Sequence, residues 1–263
     1  MANPRFRLDQ ADAVSWLGAM PEASVDHVIT DPPYESLEKH RARGTTTRLS
    51  RSKASSNDWF DVFPNSRFPE LFAAVYRVLR RDAHFYLFCD PETMFVAKPC
   101  GEAAGFKFWK PIIWDKRRIG MGYHYRARYE CILFFEKGKR RLADLGVPDV
   151  LEVPRVQNGY PTEKPVHLAS ILVRQSSAAG DLVVDPFAGS GAVGVAAALQ
   201  GATLPAAISA PARSRSRRRG WRQHARRHDR ETPAERIGDP ARVSSNSTGL
   251  GARTVSSHTI TTI

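Results

Sequence analysis

With 263 residues, 42% of them apolar, the chain can bury the core of one large α/β domain, and a single domain followed by a tail is expected. No run approaches the roughly 18 to 20 uncharged apolar residues of a membrane span, and the opening Met-Ala-Asn-Pro-Arg carries no signal-peptide apolar stretch, so membrane and secreted classes are set aside and a cytoplasmic protein is expected. Cys89, Cys100 and Cys131 form no CxxC pair and have no metal-spaced histidines nearby, so neither a metal nor a disulfide framework is expected, while the formal charge of +12 asks for a polyanionic partner.

In chain order, Val25 to Thr30 is a short apolar run stopped by Asp31-Pro32-Pro33-Tyr34. Neither proline can donate to a ladder, so the tetrapeptide sits at the C-terminal end of a strand. Residues 35–66 are polar and basic without an apolar period and read as a surface loop. Leu71, Val75, Val78 and Leu79 share a helical face behind Pro69, and Ala83 to Cys89 is a second buried strand. Phe106 to Trp114 and Glu130 to Glu136 read as a hairpin-like pair of strands flanking a basic connection over 115–128. Thr162 to Pro165 precedes a helix with apolar Val166, Ala169, Leu172 and Val173, stopping near Gly180. Leu182 to Val184 is another strand, followed by Asp185-Pro186-Phe187-Ala188-Gly189-Ser190-Gly191 and a helix of small residues ending near Gly201. Strands alternating with helices predict a mostly parallel sheet covered on both faces.

Two motifs carry chemistry. Methylating an aromatic amine by direct attack on a sulfonium requires hydrogen-bond acceptors aimed at the two N–H groups, because they stabilise the positive charge that develops on nitrogen. The Asp31 carboxylate and the Pro32 carbonyl are such acceptors, Pro33 stiffens the turn, and the Tyr34 ring offers a face for an extruded base. Taken alone, the tetrapeptide is equally a turn with a capping aspartate. In the second motif a glycine-rich turn between strand and helix lets backbone approach a ligand closely, and Asp185 can receive a cationic amino group. Gly189, Gly191 and Gly194 also satisfy the dinucleotide pattern GxGxxG, but the acid expected about 20 residues on is missing around Ala207 to Pro211. Pro99-Cys100, a pair typical of cytosine ring-carbon methylation, follows a different strand, and Cys100 is read as a core or surface thiol.

Asp31-Pro32-Pro33-Tyr34 followed much later by Asp185 to Gly191 resembles the β-type, circularly permuted DNA amino-methyltransferases of restriction-modification systems, orphan methylases and phages, with the catalytic motif ahead of the cofactor motif. Asp12 in Gln10-Ala11-Asp12-Ala13, Ser24-Val25-Asp26, Glu130 to Gly138 and Thr162-Glu163-Lys164-Pro165 extend the match from residue 5 to about 204. The resemblance implies a Rossmann-like class I S-adenosylmethionine-dependent methyltransferase fold of the α/β class, circularly permuted and with an incomplete sheet edge. It implies catalytic Asp31, Pro32, Pro33 and Tyr34, and S-adenosylmethionine held by Asp185, Pro186, Phe187, Gly189, Ser190 and Gly191. Asp12 matches an acid contacting the cofactor's adenine, and Thr162 and Lys164 match a segment lining the same pocket. Aspartate in the first position implies adenine N6 as the target, with cytosine N4, an RNA or protein amide, and an inactive nucleic-acid-binding remnant as the alternatives.

Double-stranded DNA is the expected partner, since phosphate contacts need basic side chains. Lys39, Arg41, Arg43 and Arg48 populate the first loop. Arg117, Arg118, Arg126 and Arg128, interleaved with Tyr123 and Tyr125, populate the second. Residues 140–160 are expected to be a short target-recognition segment, and a homodimer is left open. From Pro205 onward the sequence has twelve Arg, no Lys and four acids, with Trp221 as its single aromatic. Such a composition cannot offset ordering entropy by burial, so residues 205–263 are expected to be a disordered tail. It reads either as out-of-frame translation of a GC-rich gene or as an arginine-rich arm.

Overall fold

The computed structural model describes residues 6–36, 62–120, 124–157 and 163–208. All of them belong to one compact unit, Met1–Arg222, and a second unit, Gln223–Ile263, lies outside the described residues, as do Lys39, Arg41, Arg43, Arg48, Tyr123 and Thr162. Among the described residues the chain runs β1 (Phe6–Gln10), α1 (Ala13–Gly18), β2 (Val25–Thr30), a 3-10 turn (Asn65–Arg67), α2 (Phe68–Val78), β3 (Leu79–Cys89), α3 (Pro91–Ala103) and β4 (Lys107–Asp115). It continues through β5 (Tyr129–Lys137), β6 (Val150–Glu152), α4 (Val166–Ser176), β7 (Val183–Val184), α5 (Ala192–Leu199) and β8 (Leu204–Ile208).

The main sheet has the order β6-β4-β5-β3-β2-β7, with β5 antiparallel to both neighbours and the other pairings parallel. Alternation along its central strands feeds two cores. On one face Val28, Phe85, Leu87 and Cys89 pack with Leu17 of α1, Leu71, Phe72 and Val75 of α2, and Ala97 of α3. On the other, Ile29, Tyr86, Phe88 and Ile132 meet Leu168 and Leu172 of α4 and Ala196 of α5. Local chemistry starts the helices: Asp12 caps α1 by accepting from Ser15 N at 3.0 Å, and Asp90 caps α3 by accepting from Thr93 N at 2.7 Å. Close approach of α3 to the sheet needs Gly101, where a Cβ would stand 2.5 Å from the Phe135 ring.

Three boundaries differ from the sequence reading. β3 starts at Leu79 rather than Ala83. Its pairing jumps from Val25↔Leu79 to His27↔His84, so Arg80-Arg81-Asp82 form a bulge with Asp82 at φ +60°. The expected target-recognition segment is divided: Ala143 N and Asp144 N bond the end of α4 at Gln175, far from the catalytic strand ends, and only β6 and the residues after it climb to that rim. Residues 140–149 instead cover a cavity of about 550 Å³ lined by Trp109, Phe134, Leu145 and Ile171.

The third difference is at the edge expected to end at 204. The chain continues as β8, which pairs in parallel with β1 through Ile208, so the disorder expected from Pro205 is corrected for residues 205–208. β8 begins to join β7, with Thr203 N donating to Asp181 O and Val183 N donating to Thr203 O, both at 2.9 Å. The next rung of a parallel ladder would be donated by residue 205, and proline has no N–H. The β1-β8 pair therefore departs from the main sheet at that point.

Candidate active site

Because β2 and β7 are adjacent and parallel, with His27↔Val183 and Val28↔Val184 in register, the two sequence motifs emerge side by side at one rim. Thr30, the last residue of β2, donates its hydroxyl to Asp185 Oδ1 at 2.7 Å, and Phe187 N donates to the same oxygen at 3.0 Å. Asp185 is 3% exposed, and burial pushes its carboxyl up to about 7 against the pull of those two donors. A buried acid held by neutral donors fits the ammonium group of an amino-acid ligand, whose charge would restore the carboxylate. The turn beyond it is open for the rest of such a ligand. Gly189 has φ +50° and nothing nearer than 3.7 Å to a Cβ placed on it, and Gly191, at φ +87°, starts α5. Pro186 is buried beneath the turn and Ser190 is half-buried.

Asp31 follows β2 on the same rim. Its Oδ1 accepts from the Tyr34 hydroxyl at 2.8 Å and its Oδ2 from Lys164 Nζ, which lies 3.4 Å from Glu130 Oε2 as well. Lys116 donates to the other Glu130 oxygen. Burial raises the Asp31 carboxyl above its ordinary range, Lys164 opposes that rise and Glu130 adds to it. Burial also works against the charge of Lys164, yet Asp31 and Glu130 together hold its ammonium firmly protonated. Burial and the Asp31 charge hold Tyr34 as the phenol. The Pro33 carbonyl accepts from Phe63 N at 2.7 Å, whereas among the described residues no donor occupies the Pro32 carbonyl.

The aromatic Phe63 joins the two motifs. It bridges Tyr34 in the backbone, and its ring meets Phe187 edge-on at 5.1 Å. Tyr34 itself is 7% exposed, so its ring face is covered and its hydroxyl engages Asp31, a contact its identity as an aromatic did not announce. Lys164, expected beside the cofactor, touches Asp31 and Glu130. Asp12 lies at the end of β1 with its carboxylate forked by Arg67 at 2.8 and 3.1 Å, and that guanidinium holds it far below the usual carboxylate range. On the rim formed by 115–128, Arg118 and Arg126 are exposed, Tyr125 is fully exposed and Ile119 is 54% exposed. Arg128 forks Asp115 at 2.6 and 2.7 Å and Arg117 faces Glu152 at 3.4 Å, so these two are already paired.

Thr30, Phe63, Lys116 and Glu130 were not anticipated as site residues. Two of them carry a signal in the sequence. Thr30 is the polar residue that closes a buried apolar strand, and Glu130 is a charge at the mouth of the apolar run Cys131 to Phe135.

A parallel strand pair that delivers an acidic tetrapeptide next to a glycine turn with a buried acid defines an S-adenosylmethionine-dependent amino-methyltransferase. The family model for DNA methylases acting at N6 or N4 matches residues 25–158 and 146–204, and the chain belongs to that family. Among its relatives, YubD of Escherichia coli (strain K12) is 30% identical over 198 residues, 74% of this chain and 81% of that protein. The DNA adenine methyltransferase YhdJ of the same organism is 28% identical over 72% of this chain and 74% of its own length. The fold matches the TTHA0409 protein of Thermus thermophilus complexed with S-adenosyl-L-methionine, with a TM-score of 0.59, 22% identity, and coverage of 86% of this chain and 97% of that one. It also matches the cytosine-N4-specific PvuII DNA methyltransferase, with a TM-score of 0.59, 16% identity, and coverage of 79% and 84%. S-adenosylmethionine is the cofactor, and Asp185 with the turn to Gly191 is the part of this site whose chemistry suits its amino-acid end.

Proposed function

We propose that the chain transfers a methyl group to the N6 amine of adenine flipped out of double-stranded DNA. The observation that carries this reading is the Asp31 carboxylate at the end of β2, the strand paired with the one that ends at Asp185, with the Pro32 carbonyl following it as a second acceptor. The name of YhdJ, a DNA adenine methyltransferase, and the aspartate at the head of the tetrapeptide favour adenine. The PvuII enzyme shares the fold and acts on cytosine N4, so the fold alone does not choose between the bases.

The bound cofactor supplies the methyl group as an electrophilic sulfonium. Asp31 and the Pro32 carbonyl accept the two amine hydrogens, which lets the nitrogen lone pair leave its conjugation with the ring and stabilises the charge that grows as the N–C bond forms. The nitrogen then sheds one proton. Lys164 and Tyr34 are both held protonated, so Asp31, whose affinity for a proton is raised by burial, is the group that can take it. Arg118 and Arg126 contribute phosphate contacts beside the rim, and Tyr125 offers an exposed ring to the duplex.

Asp31→Ala is expected to lower kcat by about 10³-fold, the scale of losing a group aimed at developing charge, while S-adenosylmethionine binding measured by calorimetry persists. Digestion of DNA from an expressing host, followed by mass spectrometry of nucleosides, should show N6-methyladenine. Finding N4-methylcytosine in its place would overturn the choice of base, and an active Asp31→Ala variant would overturn the mechanism.

A further inference from the structure

Both oxygens of the Asp31 carboxylate are already occupied, one by the Tyr34 hydroxyl and the other by Lys164 Nζ. Each oxygen keeps a further lone pair, but an incoming amine has to share the carboxylate with these two donors, and its bond to Asp31 strengthens when one of them leaves. Tyr34 belongs to the same short turn as Asp31 and is buried, so its ring has little room to withdraw. Lys164 arrives from a different segment, the residues ahead of α4, and has a second acceptor in reach. Glu130 Oε2 lies 3.4 Å from Nζ, is buried, and among the described residues makes no hydrogen bond, while Lys116 holds the other Glu130 oxygen in place.

We propose that Lys164 is a positioning residue that latches Asp31 before the target base arrives and is handed to Glu130 as the amine takes its place. The proposal rests on Asp31 being the amine acceptor, as read above. The hand-over conserves ion pairing. The ammonium exchanges one carboxylate for another across a short arc, and an oxygen of Glu130 that is buried without a hydrogen bond gains its donor just as Asp31 loses one. Glu130 Oε2 already stands in ion-pair range of the ammonium, so the lysine has only to close that distance as it leaves Asp31. Without such an acceptor, freeing Asp31 would strand a buried cation, which is far more costly. The latch also protects the site: a carboxylate held by Lys164 and Tyr34 does not draw on water or on an unflipped base. The Phe88 ring, 5.4 Å from Nζ, gives the ammonium an apolar wall to move along.

The charged and titratable groups facing Asp31 are Lys164, Glu130 at the mouth of β5, Tyr34 in its own turn, Asp185 at the end of β7 and Cys89 at the end of β3. Tyr34 and Cys89 stay neutral through burial, so beyond the burial that raises the Asp31 carboxyl, the charges acting on it are Lys164, which lowers it, and Glu130, which raises it. This gives the two latch residues opposite signatures. Removing the lysine makes Asp31 harder to ionise, and removing the glutamate makes it easier.

The test measures methyl transfer to unmethylated host DNA against pH for the wild type, Lys164→Met, Glu130→Gln and Lys164→Arg. In parallel, the Asp31 carboxyl is titrated by ¹³C NMR on cofactor-free protein, its resonance identified by its loss in Asp31→Asn. The acid limb of kcat/KM and the NMR midpoint are expected to rise by a pH unit or more in Lys164→Met, to fall in Glu130→Gln, and to return toward wild type in Lys164→Arg. Glu130→Gln should also lower kcat about tenfold, because the lysine has only a neutral acceptor to go to. If Lys164→Met fails to fold, the arginine and glutamine variants still carry the comparison. Limbs and midpoints that do not move, with Asp31→Ala inactive, overturn the latch alone; an active Asp31→Ala overturns the reading beneath it.

Discussion

Asp185 should make the protein less stable as pH rises, and replacing it with its amide should remove that dependence. Its folded carboxyl is raised to about 7 from an ordinary value of 3.8, so between these pH values the folded chain holds a proton that the unfolded chain releases. Stability from this group is complete below about pH 4, declines through the interval and is flat above pH 7. The shift corresponds to about 4 kcal/mol as an upper figure, at about 1.4 kcal/mol per unit. Asp185→Asn keeps an oxygen for the donors Thr30 and Phe187 N and never ionises. Urea unfolding of cofactor-free protein at pH 5 and pH 8 should therefore show the variant gaining on the wild type by up to about 2.6 kcal/mol at the higher pH, because part of the effect is already lost at pH 5. Cofactor affinity should move the other way. Loss of a charge-assisted bond of about 1.5 to 3 kcal/mol raises Kd by about 10- to 100-fold, and the wild-type Kd should rise as pH falls below 7 while that of the variant stays level. Parallel stability curves for the two proteins, or an unchanged Kd, would refute the assignment of a buried proton and an ammonium partner to this side chain.

The rim and the core make further predictions. Replacing Arg118 and Arg126 together with alanine should weaken DNA binding uniformly across sequences and reduce the slope of log K against log salt by about 1.8, read by fluorescence anisotropy at several salt concentrations. Gly101→Ala places a methyl group against the Phe135 and Phe72 rings and should cost about 1 to 3 kcal/mol in urea unfolding, with no change in the pH limbs of catalysis. Pro205→Val restores the N–H missing from the ladder between β7 and β8 and should add about 1 kcal/mol of stability, with slower amide exchange at Thr203 and Val183.

The catalytic neighbourhood was legible because its parts are written as interruptions of strands. Pro32 and Pro33 had to end β2, and the glycines after Asp185 had to end β7, so once the order of strands implied a parallel sheet, both motifs fell at the same rim. The partners of those motifs were not legible, for a different reason. Lys164 and Glu130 lie far from Asp31 in sequence, and only the antiparallel insertion of β5 beside β3 brings Glu130 to the rim. A lysine in a Thr-Glu-Lys-Pro segment gives no sign of which of two pockets it will face. The same holds for Phe63, whose neighbours in sequence carry no period that would mark it as the residue joining Tyr34 to Phe187.

The far edge of the sheet shows how composition and local chemistry can point in different directions. Residues 205–263 carry few large apolar residues, with Trp221 as their single aromatic. A strand at the margin needs few: β8 is held by its ladder to β1, and backbone pairing is indifferent to side-chain bulk. Pro205 withholds the rung that would tie β8 to β7 beyond Thr203, so toward β7 the β1-β8 pair is bonded at Asp181, Thr203 and Val183, while Arg67 ties Asp12 to the start of α2. If Asp12 meets the adenine end of the cofactor, the affinity for that end should then respond to the strength of this junction, and Pro205→Val should tighten binding of S-adenosylmethionine without altering the pH dependence set by Asp185.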